Sequence, residues 1–184
     1  MAADIRPARA SDVDALLAIE TAVFQTDRLS RQSFRRLIGG PSAAVLIAQA
    51  GGVVVGYCVV LFRADASHAR LYSISTAPGL AGQGVGRALI EAAERTSVER
   101  GKRSLRLEVR QDNERAVSIY RRAGFRPIGS KPDYYQDGMT ALRMEKSLAG
   151  SETAASGNGD SKATFAASGS FSRLIEQTPR RASS

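Results

Sequence analysis

The chain has 184 residues, 43% apolar and 24% charged, which is one ordinary domain, or one domain with a tail, able to bury a sizeable core. A lone cysteine, Cys58, excludes an internal disulfide framework, and a lone histidine, His68, leaves no imidazole pair for zinc and puts any Ser-His-Asp arrangement on that residue alone. The net charge of +8 predicts attraction to a polyanion (nucleic acid, an acidic protein surface or a multiply phosphorylated small molecule) or nothing more than a soluble basic surface.

Residues 1–7 have no apolar run of the kind a secretory leader needs, so the expected compartment is the cytoplasm. Residues 5–9 alternate as a short first strand. Ser11 is the expected N-cap of a first helix, with Asp12 and Asp14 in its first turn and an apolar stripe of Leu16, Leu17, Ile19, Val23 and Phe24. A second helix over 30–38 ends at Gly39-Gly40-Pro41. Residues 43–62 contain no charge and are long enough to span a membrane on length alone. Gly51-Gly52 in mid-run and the Val- and Ile-rich flanks instead predict two buried strands, 44–50 and 53–62, joined by a tight hairpin. Cys58 falls in the second of these with no activating neighbour, as a core residue. His68 falls in a loop over 63–69, where solvation is expected. A strand over 69–76, a helix over 84–100, a strand over 104–110, a helix over 114–123 stopped by Gly124, and a strand pair over 127–131 and 140–146 complete the domain. This order predicts an α/β (α+β) fold with a mixed sheet, neither barrel nor sandwich.

From residue 148 onward Ala, Ser, Gly and Thr dominate. Such a segment buries too little to offset its ordering entropy, so a folded domain over 1–147 and a disordered tail over 148–184 are expected. Within the tail, 171–177 has the composition of one marginal helical turn or a docking segment. Arg180-Arg181-Ala182-Ser183 has the pattern of a basophilic kinase site, too short to carry a function.

The chemistry concentrates around Pro78-Gly79-Leu80-Ala81-Gly82-Gln83-Gly84-Val85-Gly86-Arg87. Glycines at 82, 84 and 86 open backbone conformations closed to other residues and let a ligand approach the main chain. They lead into a helix whose first amides lack internal partners and carry the positive end of its dipole, an anion seat suited to a pyrophosphate; a merely flexible turn has the same composition. A Walker A loop would need Lys-Ser or Lys-Thr after its last glycine, but Val85 follows Gly84. A dinucleotide fingerprint would need glycine at the positions held by Arg87 or Leu89.

The turn does resemble the (Arg/Gln)-x-x-Gly-x-(Gly/Ala) loop of the GCN5-related N-acetyltransferases, a likeness extending over about residues 3–147. Leu71-Tyr-Ser-Ile-Ser-Thr-Ala-Pro78 is similar to that family's splayed fourth strand. The stretch from Leu107 to Phe125, Leu-Glu-Val-Arg-Gln-Asp-Asn-Glu-Arg-Ala-Val-Ser-Ile-Tyr-Arg-Arg-Ala-Gly-Phe, resembles its fifth strand and fourth helix. Asp133-Tyr-Tyr-Gln-Asp-Gly with Ala141-Leu-Arg-Met144 resembles the C-terminal hairpin of protein N-terminal acetyltransferases. Glu108 and Tyr120 are twelve positions apart with Asn113 between, a spacing that resembles that of the ribosomal-protein-alanine N-acetyltransferases within the family.

The resemblance implies a mixed, mostly antiparallel central sheet flanked by helices, with acetyl-CoA as co-substrate, no metal, and a primary amine as acceptor. It implies that Ala81, Gly82, Gln83, Gly84, Val85, Gly86 and Arg87 hold the pyrophosphate, with Arg121 or Arg122 as further phosphate contacts. The backbone of Ile74, Ser75 and Thr76 would pair with the pantetheine arm as an added strand does, and a Thr76 amide would polarise the acetyl carbonyl. Asn113 would hydrogen-bond the same arm; it is equally a helix N-cap. Glu108 would be the base and Tyr120 the acid. Strand alternation puts Glu108 on a face with Arg106 and Arg110, opposite Leu105, Leu107 and Val109, which suits either a base in a wet cleft or an ion-paired strand glutamate. Tyr120, four residues after Ala116 and three after Val117, also suits an ordinary core position. Phe24, Leu29, Tyr134 and Tyr135 would wall the acceptor site.

Three departures are visible: Ala81 stands where Arg or Gln is usual, Met139-Thr140 where an acidic pair is common, and there is no tryptophan. The implied acceptor is a protein N-terminus, with a ribosomal protein as the implied partner and neither DNA nor membrane involved. A small amine or lysine side chain is the enzymatic alternative. A CoA-liganded basic module binding RNA or ribosome is the alternative from another class.

Overall fold

In the computed structural model, which describes residues 3–24, 28–80, 82–135, 137–148 and the backbone of 173–174, the chain opens on β1 (Asp4–Pro7) and passes through a 3-10 turn (Ala10–Asp12) into α1 (Val13–Val23). The entry to α1 differs from the expected cap. Asp12, not Ser11, holds the turn: its Oδ2 accepts the Arg9 amide at 2.7 Å, and its two oxygens take the Arg6 guanidinium at 2.8 and 2.9 Å. A carboxylate gripped by an arginine on β1 has an anchor that a serine hydroxyl at position 11 lacks. Ser30 does cap α2 (Arg31–Gly39), accepting the Ser33 amide at 3.1 Å.

The uncharged run folds as expected. β2 (Ala43–Ala50) and β3 (Val53–Phe62) form an antiparallel hairpin through Gly51 and Gly52, whose φ values of 56° and 82° are those of a tight turn that splays neither strand. Both faces are buried. Leu16 and Ile19 of α1 and Phe34 of α2 pack against Ile47, Tyr57 and Val59 on one side. On the other, Leu89, Ile90 and Ala93 of α3 (Val85–Glu99) pack with Leu46, Cys58 and Val60. That double burial explains an uncharged run without a membrane, and no helix among the described residues is long and apolar enough to cross one.

β4 (His68–Thr76) lies antiparallel to β3, and β5 (Ser104–Arg110) lies parallel to β4. His68 begins β4 rather than lying in a solvated loop; it is half-buried, and burial beside Arg106 lowers its imidazole from the usual range. After α4 (Glu114–Arg122), the pair β6 (Arg126–Lys131) and β7 (Ala141–Ser147) closes the sheet in the order β1-β2-β3-β4-β5-β7-β6. The sheet is mixed and mostly antiparallel, with helices on both faces. Beyond Leu148 only Arg173–Leu174 is described, as a two-residue strand β8 running parallel to β4; the rest of the expected tail lies outside the described residues.

Candidate active site

Two features open a cleft in the middle of this sheet. β4 and β5 pair only over His68–Arg70 and Ser104–Arg106 and then part. On the other edge of β4 the register with β3 slips between Val59 and Val60, so Tyr72 is bulged out between Leu71 and Ser73. A cavity of about 240 Å³ follows, walled by Ile74, Ser75 and Thr76 of β4, by Gly82, Gly84, Gly86 and Arg87 at the start of α3, and by Arg115 and Ile119 of α4.

Gly82 and Gly84 have φ of 85° and 82°, in the left-handed region, and a Cβ built at 82, 84 or 86 would meet nothing within 4 Å. The first intrahelical bond of α3 runs from the Ala88 amide to the Gly84 carbonyl at 3.0 Å, so the amides of Val85, Gly86 and Arg87 belong to the unsatisfied first turn. Gly56 on β3 allows this turn to sit so low: a Cβ there would lie 2.9 Å from the Ser75 carbonyl and 3.2 Å from Leu89 and Val85 side-chain atoms. The side chain of Val85 is in the core, leaving only its amide to a ligand. Gln83 is exposed beside the turn, and Ala81 lies outside the described residues.

Free amides, an open approach and nearby cations are what a pyrophosphate requires, so these residues fit acetyl-CoA. Arg87 Nε is engaged with Glu91 at 2.8 Å, an exposed i,i+4 pair weak enough to be exchanged for a phosphate. A second cavity of about 420 Å³ continues from the first, sharing Arg87, Ile90 and Ile119 and adding Arg122 and Lys146. Arg122 therefore faces the extended groove, Arg121 lines neither cavity, and Arg115, which sequence reasoning did not single out, lines the first. Asn113 caps α4, its Oδ1 accepting the Ala116 amide at 3.0 Å, and it is not in the wall of either cavity.

Glu108 is buried on β5, with 6% of its surface exposed, and is ion-paired. Its Oε2 accepts from Arg70 Nε of β4 at 2.9 Å and its Oε1 from Lys131 Nζ of β6 at 3.4 Å. Burial by itself would raise the carboxyl, but the charges of Arg70 and Lys131 outweigh it and hold Glu108 below the usual carboxylate range. Arg70 also donates to the Tyr134 hydroxyl at 2.9 Å, and the Lys131 ammonium stands 5.0 Å over the Tyr134 ring. Tyr134 and Tyr135 meet edge to face at 5.3 Å, and Arg110 lies 4.9 Å over Tyr135.

Tyr120 is entirely buried, edge-on to Phe125 at 5.8 Å, and its hydroxyl has no hydrogen-bond partner among the described residues; the same is true of Tyr135 Oη and Ser75 Oγ. Burial first, then the neighbouring Tyr135 and Cys58, push the Tyr120 hydroxyl well above its ordinary value. Tyr135 is raised by burial first and then by Tyr134, with the Glu108 charge a smaller contribution in the same direction. Phe24 and Leu29 are both core residues, Leu29 fixed through its amide to Glu20 Oε1 at 2.9 Å, and neither is in the wall of the two cavities described above. The cations on Glu108 escaped sequence reasoning because they lie 38 and 23 residues away along the chain; only the strand register brings them together. No cluster of three or more His, Cys, Asp or Glu side chains able to hold a metal occurs among the described residues.

Comparison with known proteins fits this geometry. The Acetyltransferase (GNAT) domain family matches residues 5–148. The putative [ribosomal protein bS18]-alanine N-acetyltransferase of Bacillus subtilis is 32% identical over 77% of this chain and 93% of that protein. The N-alpha-acetyltransferase RimI of Mycobacterium tuberculosis is also 32% identical, over 62% of this chain and 72% of that protein. Among solved structures, the ribosomal-protein-S18-alanine N-acetyltransferase of Escherichia coli superposes with a TM-score of 0.71 at 25% identity, covering 83% of this chain and 99% of that one. A sheet parted beside a glycine turn at a helix N-terminus, in a chain that the family matches over residues 5–148, places this protein in the GNAT acetyltransferase family, as an N-acetyltransferase.

Proposed function

We propose that this enzyme transfers acetyl from acetyl-CoA to a protein N-terminal α-amine, of the ribosomal-protein-alanine kind, with Glu108 as base and Tyr120 as acid. The observation that carries the reading is the buried, ion-paired Glu108 with Arg70, Lys131 and Tyr134, in a fold whose glycine turn offers an anion seat beside the Ile74–Thr76 strand; neither Glu108 nor Tyr120 is in the wall of that cavity, although Tyr120 follows Ile119, which is. Acetyl-CoA supplies the acetyl thioester. The amides at Val85–Arg87, with Arg87 and Arg115, hold its phosphates, and the Ile74–Thr76 edge of β4 orients its arm and directs a Thr76 amide at the carbonyl.

An amine attacks a thioester only when neutral. An α-amine with a pKa of about 7.7–8.0 is roughly a tenth neutral at pH 7, whereas a lysine near 10.4 needs ~3.4 kcal/mol more. Glu108, ionised throughout the neutral range but held down by two cations, is a modest base suited to the easier acceptor, taking its proton directly or through water. Arg70 and Lys131 also oppose an ammonium at that position, favouring the neutral amine. Tyr120 stays protonated at neutral pH and has no hydrogen-bond partner among the described residues, so its hydroxyl can donate to the leaving thiolate.

The test is thiol release from acetyl-CoA with peptides beginning in Ala, Ser or Met, a blocked peptide with an internal Lys, and a small diamine. The Ala peptide should give the highest kcat/KM. A higher value for the lysine peptide or the diamine overturns the acceptor assignment. Absence of thiol release with every amine, together with a salt-sensitive RNA shift, overturns catalysis.

A further inference from the structure

Where β4 and β5 part, the gap is filled. β8 (Arg173–Leu174) runs parallel to β4 in the register Ser73–Arg173 and Ile74–Leu174 and lies against β5 as well. It therefore uses the β4 edge that pairs with β5 three residues earlier, at His68–Arg70, and continues that parallel ladder with a segment from the far end of the chain. The 24 residues between Leu148 and Arg173 span at most about 80 Å, ample for the segment to reach the cleft of its own molecule.

We propose that β8 (Arg173–Leu174) is an intramolecular plug that competes with acyl-CoA for the β4 edge. This rests on the reading of the cleft as the acetyl-CoA site. A pantetheine arm carries two amides and pairs with the Ile74–Thr76 edge of β4 as an added strand does; that stretch overlaps the Ser73–Ile74 register of β8 at Ile74, so the two cannot occupy the edge together. The occupant is the chain's own tail, since tethering supplies it at high effective concentration. If it is docked nine-tenths of the time, the apparent Kd for CoA stands about tenfold above its intrinsic value.

The experiment compares the full-length chain with its R173P/L174P variant, in which both amides of β8 are removed. Calorimetry measures CoA Kd, and hydrogen exchange without ligand measures protection at Ser73 and Ile74. The proline variant should bind CoA about tenfold more tightly and exchange faster at whichever of those two amides faces the gap rather than β3, and a synthetic peptide of residues 165–184 added in trans should weaken its CoA binding again. Equal, measurable Kd values in the two proteins overturn the competition while leaving the CoA site standing. Absence of CoA binding in both overturns the cofactor reading and the competition with it. Unchanged protection at both Ser73 and Ile74, one of whose amides faces β8, overturns the docking itself.

Discussion

Replacing Tyr120 by Phe separates stability from catalysis, because the two effects carry opposite signs. The ring is fully buried and keeps its edge-to-face contact with Phe125 at 5.8 Å, so the substitution deletes only a hydroxyl that has no partner among the described residues. An unpaired buried hydroxyl costs about 1–3 kcal/mol in proteins. Its removal should leave stability unchanged or raise it by about 1 kcal/mol, a rise in melting temperature of about 3 °C for a domain of this size. A donor to the leaving group contributes about 10²-fold or more to rate, so kcat should fall by at least that factor, ~2.7 kcal/mol of barrier. Urea midpoints and thiol release with an Ala-initiated peptide measure both quantities on one preparation. A loss of stability above about 1 kcal/mol would show that the hydroxyl is satisfied in the fold; unchanged kcat would reduce Tyr120 to a core residue.

Gly84→Val should raise the Kd for CoA by about tenfold or more, because a β-branched residue at φ 82° distorts the turn that aims the α3 amides, although its Cβ would touch nothing; an unaltered Kd would relocate the phosphate site. Gly56→Ala should cost about 1–3 kcal/mol by urea denaturation, since the new methyl would sit 2.9 Å from the Ser75 carbonyl; a neutral result would show that the first turn of α3 lifts away freely. Glu108→Gln should lower kcat with little change in CoA binding. Its stability deficit against wild type should also follow pH with a definite sign. The Glu108 pKa is lower folded than unfolded, so its ion-pair contribution is present above about pH 4.3 and lost as pH falls through the folded value. The gap in urea midpoint should be constant from about pH 8 to 5 and close below about pH 4; a gap that widens in acid would contradict the ion pairing.

Local signals carried far in this chain. Gly51-Gly52 located the hairpin because two positive φ values in sequence admit little else, and alternation along Leu105–Arg110 put Glu108 opposite the core residues of β5. The glycine turn and Ile74–Thr76 were each legible alone, and the fold does join them around one cavity. What stayed hidden depends on register. Arg70 reaches Glu108 because β4 and β5 are parallel and in step at Arg70–Arg106, and Lys131 arrives through β6, two strands away from β5 in the sheet. Neither leaves a mark in the sequence around Glu108. The misplaced cap at Ser11 and the misplaced loop at His68 have the same origin: Arg6 recruits Asp12 from a neighbouring strand, and β4 starts earlier than its apolar residues suggest.

The parallel ladder between β4 and β5 amounts to three residue pairs, and on it hangs the connection between the halves of the sheet. That is a seam. Thermal opening should begin at its unzipped end, and any molecule bridging both lips acts as a stitch, so that occupancy and the mechanical stiffness of the whole domain rise together.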